Sequence, residues 1–183
     1  WGKFFVRTAK ARFEPDSLWR DHEALEWVLT RLRDNVWMNP AVWLVSRRLT
    51  ELAGPWDIRL GSSGDDDGEY VCRLAAGSDG VKFVPEARCY YRIGTVGSLN
   101  WNMETSSKTL ESLLLSLRLT VGHLLAMEDS PRTRDAALRH LQTFSDYFYG
   151  TSGPHFQQLT DLARQLGGDL LPPRPSWKYY PVE

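Results

Sequence analysis

The sequence predicts an α/β domain over residues 1–101, an α-helical extension over 102–168 and an extended tail over 169–183. Three observations predict it. Up to Trp101, short apolar or aromatic runs that read as strands alternate with stretches of helical period. Beyond Trp101 the pattern turns to long leucine- and phenylalanine-striped segments. Within the first part, four carboxylates crowd into residues 65–69, the densest charge in the chain.

The elements follow in order. Residues 1–7 read as a strand bounded by Gly2, and Pro15 with Asp16 marks a turn. Asp21 is a good N-cap for a helix reaching about residue 33, with Leu25, Val28, Leu29 and Leu32 on one face. Pro40 interrupts the aromatic run of residues 37–45 and leaves a strand over about 41–45. A short helix over 46–53 ends at Gly54 and Pro55. Gly61, Ser62, Ser63 and Gly64 form a flexible lead into the acidic loop, which opens a helix over about 66–76. Residues 81–84 read as a strand turned by Pro85. A second strand over 88–92 delivers Arg92 to a glycine-rich loop at 94–98.

The helical part begins with residues 105–127, where Leu110, Leu113, Leu114, Leu117, Val121, Leu124 and Leu125 recur at helical spacing. Ser130 is an N-cap with Pro131 at the first helical position. The helix that follows carries Ala137, Leu141, Phe144 and Phe148 as a stripe and stops at Gly150. A third runs over 154–166 to Gly167 and Gly168.

Composition narrows the function classes. A net charge of −1 gives no long-range attraction toward nucleic acid. Cys72 and Cys89 do not make a disulfide framework; reduced thiols in a cytoplasmic protein are expected. No uninterrupted apolar run reaches the ~20 residues that span a bilayer. The chain begins at Trp1 within a strand-like run, which reads as a piece of a longer protein. Eight tryptophans and seven tyrosines supply flat rings of the kind that build cores and also stack on sugars.

The acidic loop is the candidate site. Like charges this close need a helix N-terminus, a cation or an arginine to offset them. Asp66 and Glu69 have the spacing of a capping box, or Asp65 is the cap. Asp67 points about 100° away from Asp66 on the helix and has no local task, so it is the best candidate for chemistry. A calcium loop matches in part at Ser63, Asp65, Asp67 and Gly68, but Leu74 stands where an acidic ligand is needed. His22, His123, His140 and His155 are too scattered for a zinc motif. Neither a Gly-x-Ser-x-Gly elbow nor a phosphate-cradling Gly-x-x-x-x-Gly-Lys loop occurs. Paired carboxylates of a glycoside hydrolase stay open as an alternative.

An ordered set of pieces resembles family 2 glycosyltransferases: residues 39–45 (NPAVWLV), 53–57 (AGPWD), 66–73 (DDGEYVCR), 83–87 (FVPEA), then Tyr91 and Arg92. The resemblance covers about residues 37–99. It implies part of a GT-A fold, a Rossmann-like α/β domain, with the nucleotide-binding half preceding this chain. It implies Asp67 as the general base and Asp66 and Glu69 as its companions, the latter positioning base or acceptor. Arg92 would face the diphosphate leaving group, and Trp43 and Trp56 would line the acceptor pocket. It departs from the family in lacking a preceding Asp-x-Asp and in having Ile93, Gly94 and Thr95 where many members carry a histidine.

The expected parent enzyme transfers a sugar from a nucleotide-sugar donor to a sugar, lipid or protein hydroxyl with inversion. Magnesium or manganese is expected for that parent, with its main ligands outside this chain, and the isolated fragment is expected to be inactive. The alternative is a non-catalytic carbohydrate- or protein-binding module whose acidic loop binds a cation.

Overall fold

Helices carry the core of this chain. The computed structural model describes residues 2–5, 11–61, 65–93, 106–151 and 154–172. In order, the elements are β1 (Gly2–Phe5), β2 (Ala11–Arg12), β3 (His22–Glu23), α1 (Ala24–Arg33), α2 (Arg47–Ala53), α3 (Asp66–Ala76), β4 (Gly80–Val81), β5 (Tyr90–Ile93), α4 (Ser107–Met127), α5 (Pro131–Phe148) and α6 (His155–Gln165). Single 3-10 turns stand at Pro40–Val42 and Ile58–Leu60.

The expected α/β, Rossmann-like class is thereby corrected: the described chain is mostly helical, with two small sheets. One has the order β2-β1-β5, with β1 antiparallel to β2 and parallel to β5. The other is β3 against β4, pairing His22 with Val81 and Glu23 with Gly80. Strands of two to four residues cannot form a layer that helices cover on both faces. The two strand expectations near the site fail for local reasons. Asn39 Oδ1 accepts from the Ala41 amide at 2.8 Å and Pro40 opens a 3-10 turn, so residues 41–45 never extend into a ladder. Beyond Val81, Asp21 draws the chain aside, accepting from the Phe83 amide at 2.9 Å and from Lys82 Nζ at 2.7 Å. Asp21 is therefore not the cap of α1, which begins after Glu23.

The helix expectations hold closely. Ser46 caps α2 by accepting from the Leu49 amide, and Gly54 ends it at φ 77°, a conformation costly for other residues. Ser106 caps α4, accepting from the Thr109 amide at 3.1 Å. Ser130 and Thr133 form a capping box at α5, with Pro131 at its first position. One hydrophobic core joins Trp27, Val28 and Leu32 of α1, Val71, Cys72 and Ala75 of α3, Leu113, Leu117 and Leu124 of α4, Ala137, Leu141 and Phe148 of α5, and Leu159 and Ala163 of α6. Each large side chain buried there contributes about 1.5–3 kcal/mol. By length and composition α4 is apolar enough to cross a membrane, yet half of it is buried against its neighbours, as befits a core helix. Of the tail, Leu171 is tied to α5 by a two-way bond with the Gln142 amide, at 2.7 and 3.1 Å. The loops at 62–64 and 94–105 and the tail from 173 lie outside the described residues.

Candidate functional site

The acidic turn opens α3, where three of its four carboxylates, Asp66, Asp67 and Glu69, complement the positive end of the helix dipole. Asp65 holds the N-cap position but makes no side-chain cap bond. It is turned inward, 4% exposed, toward two partners. The Ser116 hydroxyl of α4 lies 3.0 Å from both its Oδ2 and its carbonyl oxygen and shares its proton between them. Arg31 Nη2 of α1 stands 3.7 Å from Oδ1, an ion pair longer than a hydrogen bond. Burial pushes the Asp65 carboxyl up to about 6, because Arg31 and Ser116 offset only part of the lost hydration and Asp67 and Asp66 add repulsion.

Gly68 is buried between these charges. A Cβ there would fall 2.6 Å from Arg31 Nη2 and 2.7 Å from Asp65 Cγ. The glycine is what lets a buried arginine reach a buried aspartate across the first turn of α3. Arg31 also donates weakly to Cys72 Sγ at 3.7 Å, and its Nε is buried without a partner.

Glu69 faces the other way and is equally buried. Its Oε1 accepts from Arg73 Nε at 2.9 Å and from His123 Nε2 of α4 at 2.8 Å, and its Oε2 accepts from Arg73 Nη2 at 3.1 Å. Burial alone would raise the carboxyl. The bonds from His123 and Arg73 outweigh it and leave Glu69 below the usual value. Arg73 also donates to the carbonyls of Ala53 and Pro55, so Glu69 anchors the turn between α2 and the site. Neither Glu69 nor Asp66 forms the expected capping box: Glu69 is spent on α4 and Arg73.

Asp67 is half-buried, next to Asp66 on the first turn. Burial raises its carboxyl above the ordinary range and Asp66 adds to that. Arg31, the Gly68 amide and a hydrogen bond from the Trp37 side chain pull the other way without cancelling the rise. The Trp37 ring lies edge-on to Tyr91 of β5, centroids 5.4 Å apart.

The two tryptophans expected in an acceptor pocket part company. Trp43 donates its Nε1 proton to Met38 Sδ at 2.8 Å and packs against the core. Trp56 is 41% exposed and stacks on Tyr70, with centroids 4.4 Å apart and planes 22° from parallel. Arg73 lies over the same Tyr70 ring. Tyr70 is one helical turn beyond Asp67, so the stack stands on the face of α3 that carries the carboxylate. Arg92 lies on β5, paired with Phe4; its side chain is outside the described residues, as is the glycine-rich loop after it.

A divalent cation does not fit this carboxylate set. Asp65 and Glu69 are engaged by Arg31, Ser116, Arg73 and His123. Among the described residues, no group of three or more histidine, cysteine, aspartate or glutamate side chains converges as metal ligands do.

Arg31, Trp37, Ser116 and His123 are the site residues that sequence reasoning missed. Arg31 alone left a trace, a cation four residues after the buried Trp27 on the face of α1 that packs inward. Comparison with protein families, curated proteins and solved structures finds no match to this chain.

Proposed function

We propose that the turn opening α3 is the general-base site of a glycosyltransferase, with Asp67 accepting the proton of an acceptor hydroxyl. The observation that carries this is the division of labour among the four carboxylates. Asp65 and Glu69 are held by cationic and hydroxyl partners. Asp67 is half-buried and, among the described residues, makes no ion pair, while burial and Asp66 raise its proton affinity. A base works best when its proton affinity approaches the working pH while it stays ionised.

In the reaction, the acceptor oxygen attacks the anomeric carbon of a nucleotide sugar. The new C–O bond forms as the bond to the diphosphate breaks, and that electron pair leaves with the nucleoside diphosphate. The hydroxyl proton passes to Asp67, and the anomeric configuration inverts. Arg92 is the candidate counter-charge for the diphosphate, since a guanidinium matches phosphate geometry bidentately. Asp66 completes the acidic turn, and the half-exposed Trp56 on Tyr70 offers a flat surface for an acceptor ring.

The test is nucleoside-diphosphate release by the full-length gene product from a panel of nucleotide sugars, with and without Asp67→Asn. Removal of a general base lowers turnover about 10²–10⁴-fold. Sugar binding without turnover by the unaltered protein, kept in Asp67→Asn, would replace the transferase by a carbohydrate-binding module. Release of free sugar from a glycan without any nucleotide would replace it by a hydrolase.

A further inference from the structure

The chain has four histidines, and three of them are closed in. His140 has both ring nitrogens sealed from water, His155 has its Nδ1 sealed, and the buried His22 holds its Nε2 3.1 Å from the Ser17 carbonyl. His123 differs. Its side chain is 27% exposed, and its Nε2 lies 2.8 Å from Oε1 of the buried Glu69. Its Nδ1 has no partner among the described residues and, unlike the nitrogens of His140, is not sealed from water. The surface of α4 beside it is bare. Gly122 and Ala126 are exposed, and a Cβ on Gly122 would meet nothing within 4 Å.

The chemistry of the contact assigns the proton. Against burial, the bonds from His123 and Arg73 hold the Glu69 carboxyl below its usual range, so it is ionised at neutral pH. An ionised carboxylate only accepts, so the proton between the two residues belongs to His123 Nε2. A neutral imidazole carries one ring proton, which leaves the lone pair on Nδ1. Glu69 cannot easily turn away. Its Oε1 also accepts from Arg73 Nε at 2.9 Å and its Oε2 from Arg73 Nη2 at 3.1 Å. Arg73 is itself fastened to the carbonyls of Ala53 and Pro55. The imidazole is thus oriented on one edge and open on the other.

We propose that Glu69 and His123 form a proton-accepting pair on the seam of α3 and α4: Nδ1 of His123 takes the proton of a hydroxyl ligand, and Glu69 is the positioning residue that holds the ring. In this step the O–H bond of the ligand breaks and the Nδ1–H bond forms. The electron pair stays on the ligand oxygen, and the imidazolium faces the Glu69 carboxylate through its Nε2–H. A base whose ring and tautomer are fixed by a third group is the general arrangement for activating a hydroxyl. One accepting nitrogen suits a neutral O–H donor, an alcohol or a sugar; a metal ion needs more ligands than the described residues bring together. The pair is independent of Asp67, which stands two residues from Glu69 and so about 200° round α3.

Nitrogen-15 spectra of the 183-residue chain read the tautomer at about pH 8, where an ordinary imidazole is neutral. His123 is assigned by its loss in His123→Gln. The expected result is a proton on Nε2 and a bare Nδ1, with a mixture of the two tautomers in Glu69→Gln. Diethyl pyrocarbonate, which acylates neutral imidazole nitrogen, is expected to modify His123 ahead of His22, His140 and His155. In Glu69→Gln that reaction slows about tenfold, the size of one charge-assisted bond. Methyl glycosides at millimolar concentration are expected to shift the Nδ1 resonance and to slow its acylation. A mere tie between helices would fix the tautomer and bind no glycoside. A proton resident on Nδ1, or a His123 that resists the reagent, overturns the proposal. So does an Nδ1 that no glycoside shifts or shields. If Glu69→Gln does not fold, the tautomer, the acylation and the glycoside response of the unaltered chain still decide the matter.

Discussion

Replacing Gly68 by alanine puts the central packing of the site to the test. In an ordinary helix position this change is favourable by up to about 1 kcal/mol, because glycine gives up the most backbone freedom on folding. Gly122 of α4 is such a position: a Cβ there meets nothing within 4 Å. At Gly68 the added methyl would enter the space of Asp65 and Arg31, with Arg31 Nη2 at 2.6 Å. Neither group can withdraw cheaply. Asp65 is held by Ser116 on its other oxygen, and the Arg31 side chain is 6% exposed. Prising a buried ion pair apart costs about 3–5 kcal/mol. The helix gain offsets about 1 kcal/mol of that, so Gly68→Ala is expected to lose about 2–4 kcal/mol net. For a chain of this length that is a fall in Tm of about 4–16 °C. Gly122→Ala, the same chemical change in a neighbouring helix, is expected to raise Tm by a few degrees. Paired thermal and urea melts decide it. If the two alanine variants move in the same direction, the packing of Asp65 and Arg31 around Gly68 is wrong.

Three further outcomes follow from the buried titratable groups. Asp65 has its folded pKa raised to about 6, so between about pH 4 and 6 the folded state holds a proton that the unfolded state has lost. Stability from this group is therefore full below about pH 4 and lost as pH rises through 6. The wild type should lose about 2–3 kcal/mol relative to Asp65→Asn across that window in pH-dependent urea melts. His140 runs the opposite way. Both ring nitrogens are buried without partners, and burial, helped by the Arg31 charge, drives its pKa down to about 3. The unfolded imidazole takes up a proton below about pH 6.5 that the folded one refuses. His140→Leu should therefore gain about 2–3 kcal/mol over wild type at pH 4.5, with little change at pH 8. Glu69→Gln strips the charge that holds Arg73 and His123, and should cost about 1–3 kcal/mol at pH 7. Because the Glu69 carboxyl lies below its usual value, that penalty should persist through the ordinary glutamate range and shrink only at more acidic pH, when the wild type also becomes protonated. A penalty independent of pH would mean that the carboxylate charge is not what Arg73 and His123 recognise.

The sequence determined the helices and the place of the acidic turn. Leucine and phenylalanine stripes, Ser46, Ser106 and Ser130 as caps, and Gly54 and Gly150 as stops are local signals, readable because a helix satisfies its own backbone within four residues. The start of α3 at Asp66 was legible for the same reason. The fold class was not. A four- or five-residue apolar run is equally consistent with a strand or with a turn that packs a ring, and only a partner strand distant in sequence decides between them. Here Pro40–Val42 closed into a 3-10 turn, while Asp21 took the Phe83 amide that a ladder would have used. Which carboxylate serves which purpose was decided by tertiary structure alone. Asp65, Asp67 and Glu69 are alike as residues and within five positions of one another. Their proton affinities diverge because burial outweighs Arg31 and Ser116 at Asp65, burial and Asp66 raise Asp67, and His123 with Arg73 outweigh burial at Glu69. Most of those partners lie some 30 to 54 residues away along the chain. Burial and Coulomb energy depend on distances in space, which short-range sequence patterns do not encode.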